Sequence, residues 1–141
     1  MKELDTEVQT IFGDAEKPLS ISALQAEIHA LAKEKGWYDS PRTPPELHML
    51  MVTELAEATE EARKDTPPIY GRHVGTDNTG KKYYSPVQPG EKPEGELIEL
   101  ADCVIRILDY CGYRDWDLEK AINLKHTYNK SRAYRHGNKK Y

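Results

Sequence analysis

Two pairs of acidic residues are spaced by one helical turn, and each pair lies beside apolar residues. Glu54 and Glu57 form the first pair, and Glu99 and Asp102 form the second. Residues three apart share one face of a helix, so each pair presents both carboxylates to the same neighbour. Two carboxylates about 5 Å apart at an effective dielectric constant of about 20 repel each other by roughly 3 kcal/mol. A shared position for all four acids therefore requires protons, basic side chains or a metal ion.

If the balancing charge is a metal, the clustered carboxylate oxygens favour Mg²⁺, with Mn²⁺ as the alternative. Both are hard cations that keep water ligands and also bind phosphate oxygens. A di-iron centre fits less well, because helical bundles of that class use a Glu-x-x-His spacing and no histidine here has a glutamate three positions before it. The alternative to any site is a solvated helix face, which is the usual role of Glu-x-x-Glu on its own.

A basic and polar helix face is predicted near the C-terminus. Lys125, Asn129 and Arg132 are spaced i, i+4 and i+7, so they lie on one side of a helix. Arginine offers a planar fork suited to phosphate, lysine a point charge, and asparagine both a donor and an acceptor. The alternative is an exposed basic helix end that interacts favourably with the helix dipole.

Four segments with helical periodicity must position these residues. Their predicted bounds are Ser20 or Ser22 to Gly36, Thr43 to about Lys64, about Glu94 to Cys111 with Gly112 as the stop, and Asp117 to about Arg132. The second start is the clearest, because Thr43 and Glu46 can form a capping box and Pro44 suits the first helical position. Four amphipathic helices predict an all-α fold, arranged as a four-helix bundle.

Residues 65–95 interrupt the helical pattern between the second and third helices. They contain five glycines and five prolines, and Lys81–Tyr84 could pair as a hairpin across the turn at Thr76–Gly80. An insert of about thirty residues is uncommon in a small domain unless it is functional or disordered. We predict a mobile flap over a substrate, with plain disorder as the alternative.

The composition predicts one small domain that self-associates. The 141 residues leave room for a flexible arm at residues 1–18 and a single helical domain at residues 19–141. Hydrophobic residues make up 38% of the chain, whereas about 45–50% is typical, so a partner subunit is expected to complete the core. Cys103 and Cys111 lie about 12 Å apart on one helix, too far for a disulfide. Without a membrane-length apolar run or a signal sequence at the N-terminus, we expect a reduced, cytoplasmic protein.

The charge distribution argues against nucleic acid as a stable partner. Residues 125–141 contain six basic and no acidic residues, so the other 14 basic and 24 acidic residues give the rest of the chain a charge of −10. Binding to a duplex needs many cations on one face, and the acidic body also argues against single-stranded binding through Arg132, Tyr134 and Arg135. The distribution fits better with a small anionic ligand held between the two regions.

Several segments together resemble the MazG-like nucleotide pyrophosphohydrolases, within the all-α group that also includes dimeric dUTPases and dCTP pyrophosphatases. The resemblance runs from about Leu19 to Tyr141, and its carriers are the segments 28–37, 53–58, 99–102, 125–132 and 135–137. The family pattern is Glu-x-x-Glu followed by Glu-x-x-Asp. The interval of about forty residues between the two motifs is longer here than in many members, which places the insert where it could cover the site.

This resemblance implies a fold, a reaction and a set of site residues. The implied fold is a four-helix bundle of MazG type with a long loop or hairpin between helices 2 and 3. The implied reaction is Mg²⁺-dependent hydrolysis of a nucleoside triphosphate between the α and β phosphates. The low hydrophobic content favours a homodimer or homotetramer over a monomer. Carried over by motif, the residues are Glu54, Glu57, Glu99 and Asp102 as metal ligands, Glu54 or Glu57 as general base, Lys125, Asn129 and Arg132 at the triphosphate, and Trp37 against the base. A buried aromatic that closes the first helix is an equal interpretation of Trp37. The alternative function is a non-enzymatic helical module that binds protein partners.

Overall fold

Residues 20–134 are described by a computed structural model of the chain. They form four α-helices and two short strands, namely α1 (Ile21–Glu34), α2 (Pro44–Arg63), β1 (His73–Thr76), β2 (Lys82–Tyr84), α3 (Glu96–Tyr113) and α4 (Leu118–Ser131). This mostly helical architecture confirms the predicted all-α class. The predicted arm at residues 1–18 and the basic segment from Arg135 onward lie outside the described residues.

The helices begin where local capping chemistry places them. The Ser20 hydroxyl accepts a hydrogen bond from the Ala23 N–H at 3.1 Å, so α1 begins after Ser20 and not after Ser22. The Thr43 N–H donates to the Glu46 carboxylate at 3.4 Å, as expected for a capping box. These side chains satisfy backbone groups that the first helical turn leaves without partners.

Helix α3 continues through Gly112, which the sequence predicted as its stop. The helix ends at Tyr113, and Gly112 lies directly against His29 of α1. A Cβ atom at position 112 would lie 2.6 Å from the Cβ atom of His29, closer than two non-bonded carbon atoms can approach. The glycine therefore permits close packing of two helices and does not terminate one.

Helix α3 lies at the centre of the fold, packed against both α2 and α1, whereas α4 contacts α1. The buried hydrophobic residues are Leu47, Ala58, Val87, Cys103, Leu108, Tyr110 and Cys111. By contrast, the apolar stripe predicted for the fourth helix stays accessible, and Leu124 is 74% exposed. Within one chain, α4 therefore does not close the predicted four-helix bundle.

The insert folds back on itself. Strands β1 and β2 pair in antiparallel fashion, which confirms the predicted hairpin. Tyr70 and Glu94, near the two ends of the insert, exchange both backbone hydrogen bonds at 2.9 Å. The two ends of the insert are thus held side by side, between the end of α2 and the start of α3.

Two further expectations concern the cysteines and the membrane. Cys103 and Cys111 are both buried and carry free thiols, as their helical spacing predicted. Among residues 20–134, no helix has the length and apolar character needed to cross a membrane.

Candidate metal centre

Three of the four predicted acidic residues converge at the interface between α2 and α3. Glu54, Glu99 and Asp102 each offer a carboxylate oxygen, and these oxygen atoms lie within 4.8 Å of one another. Glu54 and Glu99 are only 5% exposed. Buried carboxylates are rare unless they are paired or bind a metal, so this cluster is the strongest candidate for a site in the described chain.

The helical period explains why these residues are turned inward. On α2, the buried residues are Leu47, Glu54 and Ala58, which are spaced by seven and four. On α3, Glu99 and Cys103 are buried and spaced by four. Spacings of four and seven return to the same face of a helix. The acids therefore occupy positions that apolar residues would fill in an ordinary helix interface.

Glu57 lies at the border of this cluster. Its side chain is exposed, and it is not among the residues whose oxygen atoms converge. Its negative charge nevertheless contributes to the raised pKa of Glu99. Glu57 is thus close enough to act electrostatically on the cluster while remaining in contact with solvent.

The protein environment makes two of the carboxyl groups harder to ionise. Burial raises the pKa of Glu99, and the charges of Glu57 and Asp102 raise it further. Burial also raises the pKa of Asp102, with the charge of Glu54 as the next cause. Both effects arise because a charged carboxylate loses hydration and meets neighbours of the same sign.

Two basic residues partly offset this negative charge, and the sequence did not single out either of them. The Arg106 guanidinium donates from Nε to the carboxylate of Glu54 and counteracts the raised pKa of Asp102. Lys92, at the end of the insert, also counteracts the raised pKa values of Glu99 and Asp102. The spacing from Asp102 to Arg106 is i, i+4, a signal by which the sequence could have indicated Arg106.

A cavity of about 380 Å³ opens beside the carboxylates. Its polar lining includes Glu54, Asp102 and Arg106. Its apolar lining comes from all three packed helices and consists of Ile28, Leu31, Ala32, Leu47, Leu50 and Ile105. A mostly apolar concave site with a few convergent polar groups is the usual form of a small-molecule site.

A hydrogen-bonded group of polar residues lies elsewhere in the cavity wall. Asp109 accepts a hydrogen bond from the Tyr38 hydroxyl at 2.7 Å, and its other oxygen lies 2.8 Å from Nδ1 of His29. Tyr38 stacks on Tyr113 with ring centroids 4.7 Å apart. Burial and the bond to Asp109 raise the pKa of Tyr38, so the hydroxyl keeps its proton and remains a donor. The sequence could have indicated Asp109, because it follows Asp102 by seven residues on the same helix face.

The remaining predicted residues divide into two groups. Trp37 lines the cavity and is 55% exposed, so the structure places it beside the site and not in the core. Lys125, Asn129 and Arg132 do not line the cavity. The cationic groups of Lys125 and Arg132 lie 4.9 Å and 5.7 Å from the ring of Tyr128 on α4. The structure of one chain therefore does not bring this basic face to the carboxylates.

The donor set fits a hard divalent cation such as Mg²⁺. Three carboxylate oxygens converge, two of the side chains are buried, and burial together with neighbouring carboxylates raises the pKa values of Glu99 and Asp102. Oxygen ligands of this kind are those that Mg²⁺ and Mn²⁺ prefer. A divalent cation at this position would offset the charge that Arg106 and Lys92 leave uncompensated.

Comparisons of the chain with protein-family models, with curated proteins and with solved structures found no match. The resemblance to MazG-like pyrophosphohydrolases is therefore a hypothesis that rests on the motif residues themselves.

Proposed function

We propose that this protein is a Mg²⁺-dependent nucleoside triphosphate pyrophosphohydrolase of MazG type. The observation that carries the proposal is the convergence of Glu54, Glu99 and Asp102 beside a mostly apolar cavity, which Glu54 and Asp102 help to line. Such a cavity suits a molecule with a polyanionic end that binds through a divalent cation and a flat, less polar end. A nucleotide has both features.

In this proposal Glu54, Glu99 and Asp102 hold Mg²⁺, and Glu57 borders the site. Bound Mg²⁺ would supply a Lewis acid that offsets phosphate charge and acidifies water. Glu57 is the favoured general base, because it is exposed whereas Glu54 is buried and paired with Arg106. Its carboxylate would take a proton from the water that attacks phosphorus, as the bond between the α and β phosphates breaks and pyrophosphate leaves.

The apolar part of the cavity would receive the nucleobase. Trp37 lies at this cavity with much of its ring exposed, which suits stacking against a base. Tyr38 and Asp109 are hydrogen-bonded to each other in the same wall, and their oxygen atoms keep lone pairs that can accept hydrogen bonds from a base. Because burial and hydrogen bonding hold these two groups in place, they are suited to select among bases by hydrogen bonding.

We also propose that the active form is a homodimer or homotetramer. The apolar residues of α4 that one chain leaves exposed would then be covered by a second copy. Lys125, Asn129 and Arg132 would reach a triphosphate only through such an assembly, since they do not line the cavity of their own chain.

The first test measures pyrophosphate release with Mg²⁺ across a panel of ordinary and modified nucleoside triphosphates. Replacing a ligand in Asp102→Asn, or the proposed base in Glu57→Gln, should lower turnover of the best substrate by about a hundredfold or more. Glu60→Gln is the matched control, because Glu60 lies on the same helix and pairs with Arg63 at the surface. Its activity should stay close to that of the wild type.

Helical content and metal binding complete this test. Circular dichroism should show the same helical content in all three variants. Mg²⁺ should raise the melting temperature of the wild type and of Glu60→Gln more than that of Asp102→Asn, because a ligand that binds only the folded state stabilises it. Full activity in Asp102→Asn, or a melting temperature that Mg²⁺ does not change, would favour the protein-interaction module instead.

A further inference from the structure

Arg106 contacts the carboxylate cluster directly. Its Nε donates to the carboxylate of Glu54, which is among the most buried polar groups of the described chain. The Glu54 side chain is 7% exposed, whereas that of Arg106 is 35% exposed. The pair therefore joins a buried anion to a cation that still reaches the cavity.

The two other basic residues of the cavity wall are paired away from the cluster. Arg42 contacts Glu46 at 3.0 Å, and Lys35 lies 3.6 Å from Glu34. Both of these partners lie outside the carboxylate cluster. Of the three basic residues that line the described cavity, Arg106 is the one whose ion pair involves a proposed metal ligand, namely Glu54.

A guanidinium and a divalent cation compete for the same carboxylate. Arginine stays charged at all physiological pH values, so it cannot leave Glu54 by losing a proton. When Glu54 turns to a metal, Arg106 needs another anion close by. The cavity that both residues line is where the proposed substrate places its phosphates, and a guanidinium fork matches phosphate oxygens in two-point contacts.

We propose that Arg106 is an exchangeable cation: it neutralises Glu54 in the metal-free protein, yields Glu54 to the divalent cation, and then binds the phosphates of the nucleotide. This inference rests on the proposed function and deepens it, because it assigns a phosphate-binding residue to α3. It also explains how a single chain contacts the phosphates even though Lys125 and Arg132 lie elsewhere.

The test begins with Mg²⁺ alone, titrated by calorimetry into the full chain without nucleotide. Arg106→Gln removes the charge but keeps a side chain that can donate to Glu54, so it should bind Mg²⁺ about tenfold more tightly than the wild type, equivalent to about 1.4 kcal/mol. Arg106→Lys keeps the charge and should bind Mg²⁺ within about twofold of the wild type. Arg63→Gln removes a surface arginine that pairs with Glu60 and should change nothing.

A second titration uses inorganic pyrophosphate in saturating Mg²⁺. Arg106→Gln should bind pyrophosphate about tenfold more weakly, and Arg106→Lys should also lose affinity because a point charge replaces the fork. Opposite changes in metal and pyrophosphate affinity would not result from a merely structural arginine, whose loss would weaken both. If Arg106→Gln does not fold, Arg106→Lys decides the matter through its pyrophosphate affinity.

The outcomes separate this inference from the proposed function. A folded Arg106→Gln that binds Mg²⁺ no more tightly than the wild type, or an Arg106→Lys that binds pyrophosphate as well as the wild type, overturns the role of Arg106 and leaves the hydrolase standing. Failure of both the wild type and Arg106→Gln to bind Mg²⁺ overturns the metal site itself, and with it the function on which this inference rests.

Discussion

At the scale of single residues, burial divides the acidic side chains into two kinds. Glu54 and Glu99 are almost fully enclosed, whereas Glu57 meets solvent. Loss of hydration and nearby negative charges both favour the protonated form of a carboxyl group. The raised pKa values of Glu99 and Asp102 follow from this, and they give the site a dependence on pH that can be measured.

Proton competition predicts that Mg²⁺ binding weakens in acid. Glu99 and Asp102 take up protons at a higher pH than ordinary carboxyl groups, and a protonated carboxyl group is a poor metal ligand. The shift in melting temperature caused by Mg²⁺ should therefore grow as the pH rises from about 4.5 to about 7.5. Differential scanning fluorimetry with and without Mg²⁺ measures it, and a shift independent of pH would contradict the assignment.

The metal-free protein should show the opposite trend from these two groups. A carboxyl group whose pKa is raised by folding stabilises the folded state at low pH, and this contribution is lost as the pH rises through the raised value. Asp102→Asn cannot titrate at position 102, so its metal-free stability should decline less over the same range. An equal decline in the variant would assign the effect to other groups.

At the scale of elements, the insert is held to the helices by a small network centred on Glu61. Its carboxylate accepts hydrogen bonds from the Tyr70 hydroxyl at 2.9 Å and the Thr66 hydroxyl at 2.8 Å. Burial opposes ionisation of Glu61, but these hydrogen bonds and Lys64 outweigh it and lower its pKa. The network fixes the start of the insert against the end of α2, although no residue of the insert lines the described cavity.

Removing the Tyr70 hydroxyl should therefore destabilise the fold. Tyr70→Phe leaves the ring contact with Tyr84 in place but deletes one hydrogen bond to a charged group, at a cost of about 1.5 kcal/mol or more in the free energy of unfolding. Urea denaturation measures this cost. Tyr83→Phe is the matched control, because its hydroxyl donates to Asp77 on the exposed hairpin. A larger loss in Tyr83→Phe than in Tyr70→Phe would contradict the anchoring role of Glu61.

At the scale of the whole molecule, the fold leaves much apolar surface accessible. Leu124 and Tyr128 on α4 are exposed, and Val104 on the central helix is exposed as well. Apolar patches of this kind mark sites of association. The low hydrophobic content of the chain and the exposure of α4 both agree with the proposed self-association.

Charging the exposed face of α4 should weaken self-association. In light scattering coupled to gel filtration, the wild type should be a dimer or tetramer. Leu124→Glu should raise the concentration at which the assembly dissociates by about tenfold or more. Asn123→Glu introduces the same charge at an adjacent exposed position of α4 and serves as the control. A monomeric wild type, or an equal effect of the two variants, would refute the proposed assembly.

Local sequence patterns were sufficient to predict the helices and to indicate the acidic residues of the candidate site. Periodicity and caps placed the four helices to within a few residues, because the N-cap at Asp117 or the capping box at Thr43 depends only on adjacent residues. The spacing of the acidic pairs indicated the two helices that meet at the carboxylate cluster. Gly112 was misjudged as a stop because its neighbour His29 is distant in sequence.

Contacts between side chains of different helices, by contrast, depend on how the helices pack. Residues three apart on a helix point about 60° away from each other, so the rotation of α2 against α3 brings Glu54 into the cluster and leaves Glu57 at its edge. The same packing places Arg106 on Glu54 and keeps the basic face of α4 away from the cavity. Such choices depend on the relative placement of whole helices, which no local pattern of residues encodes.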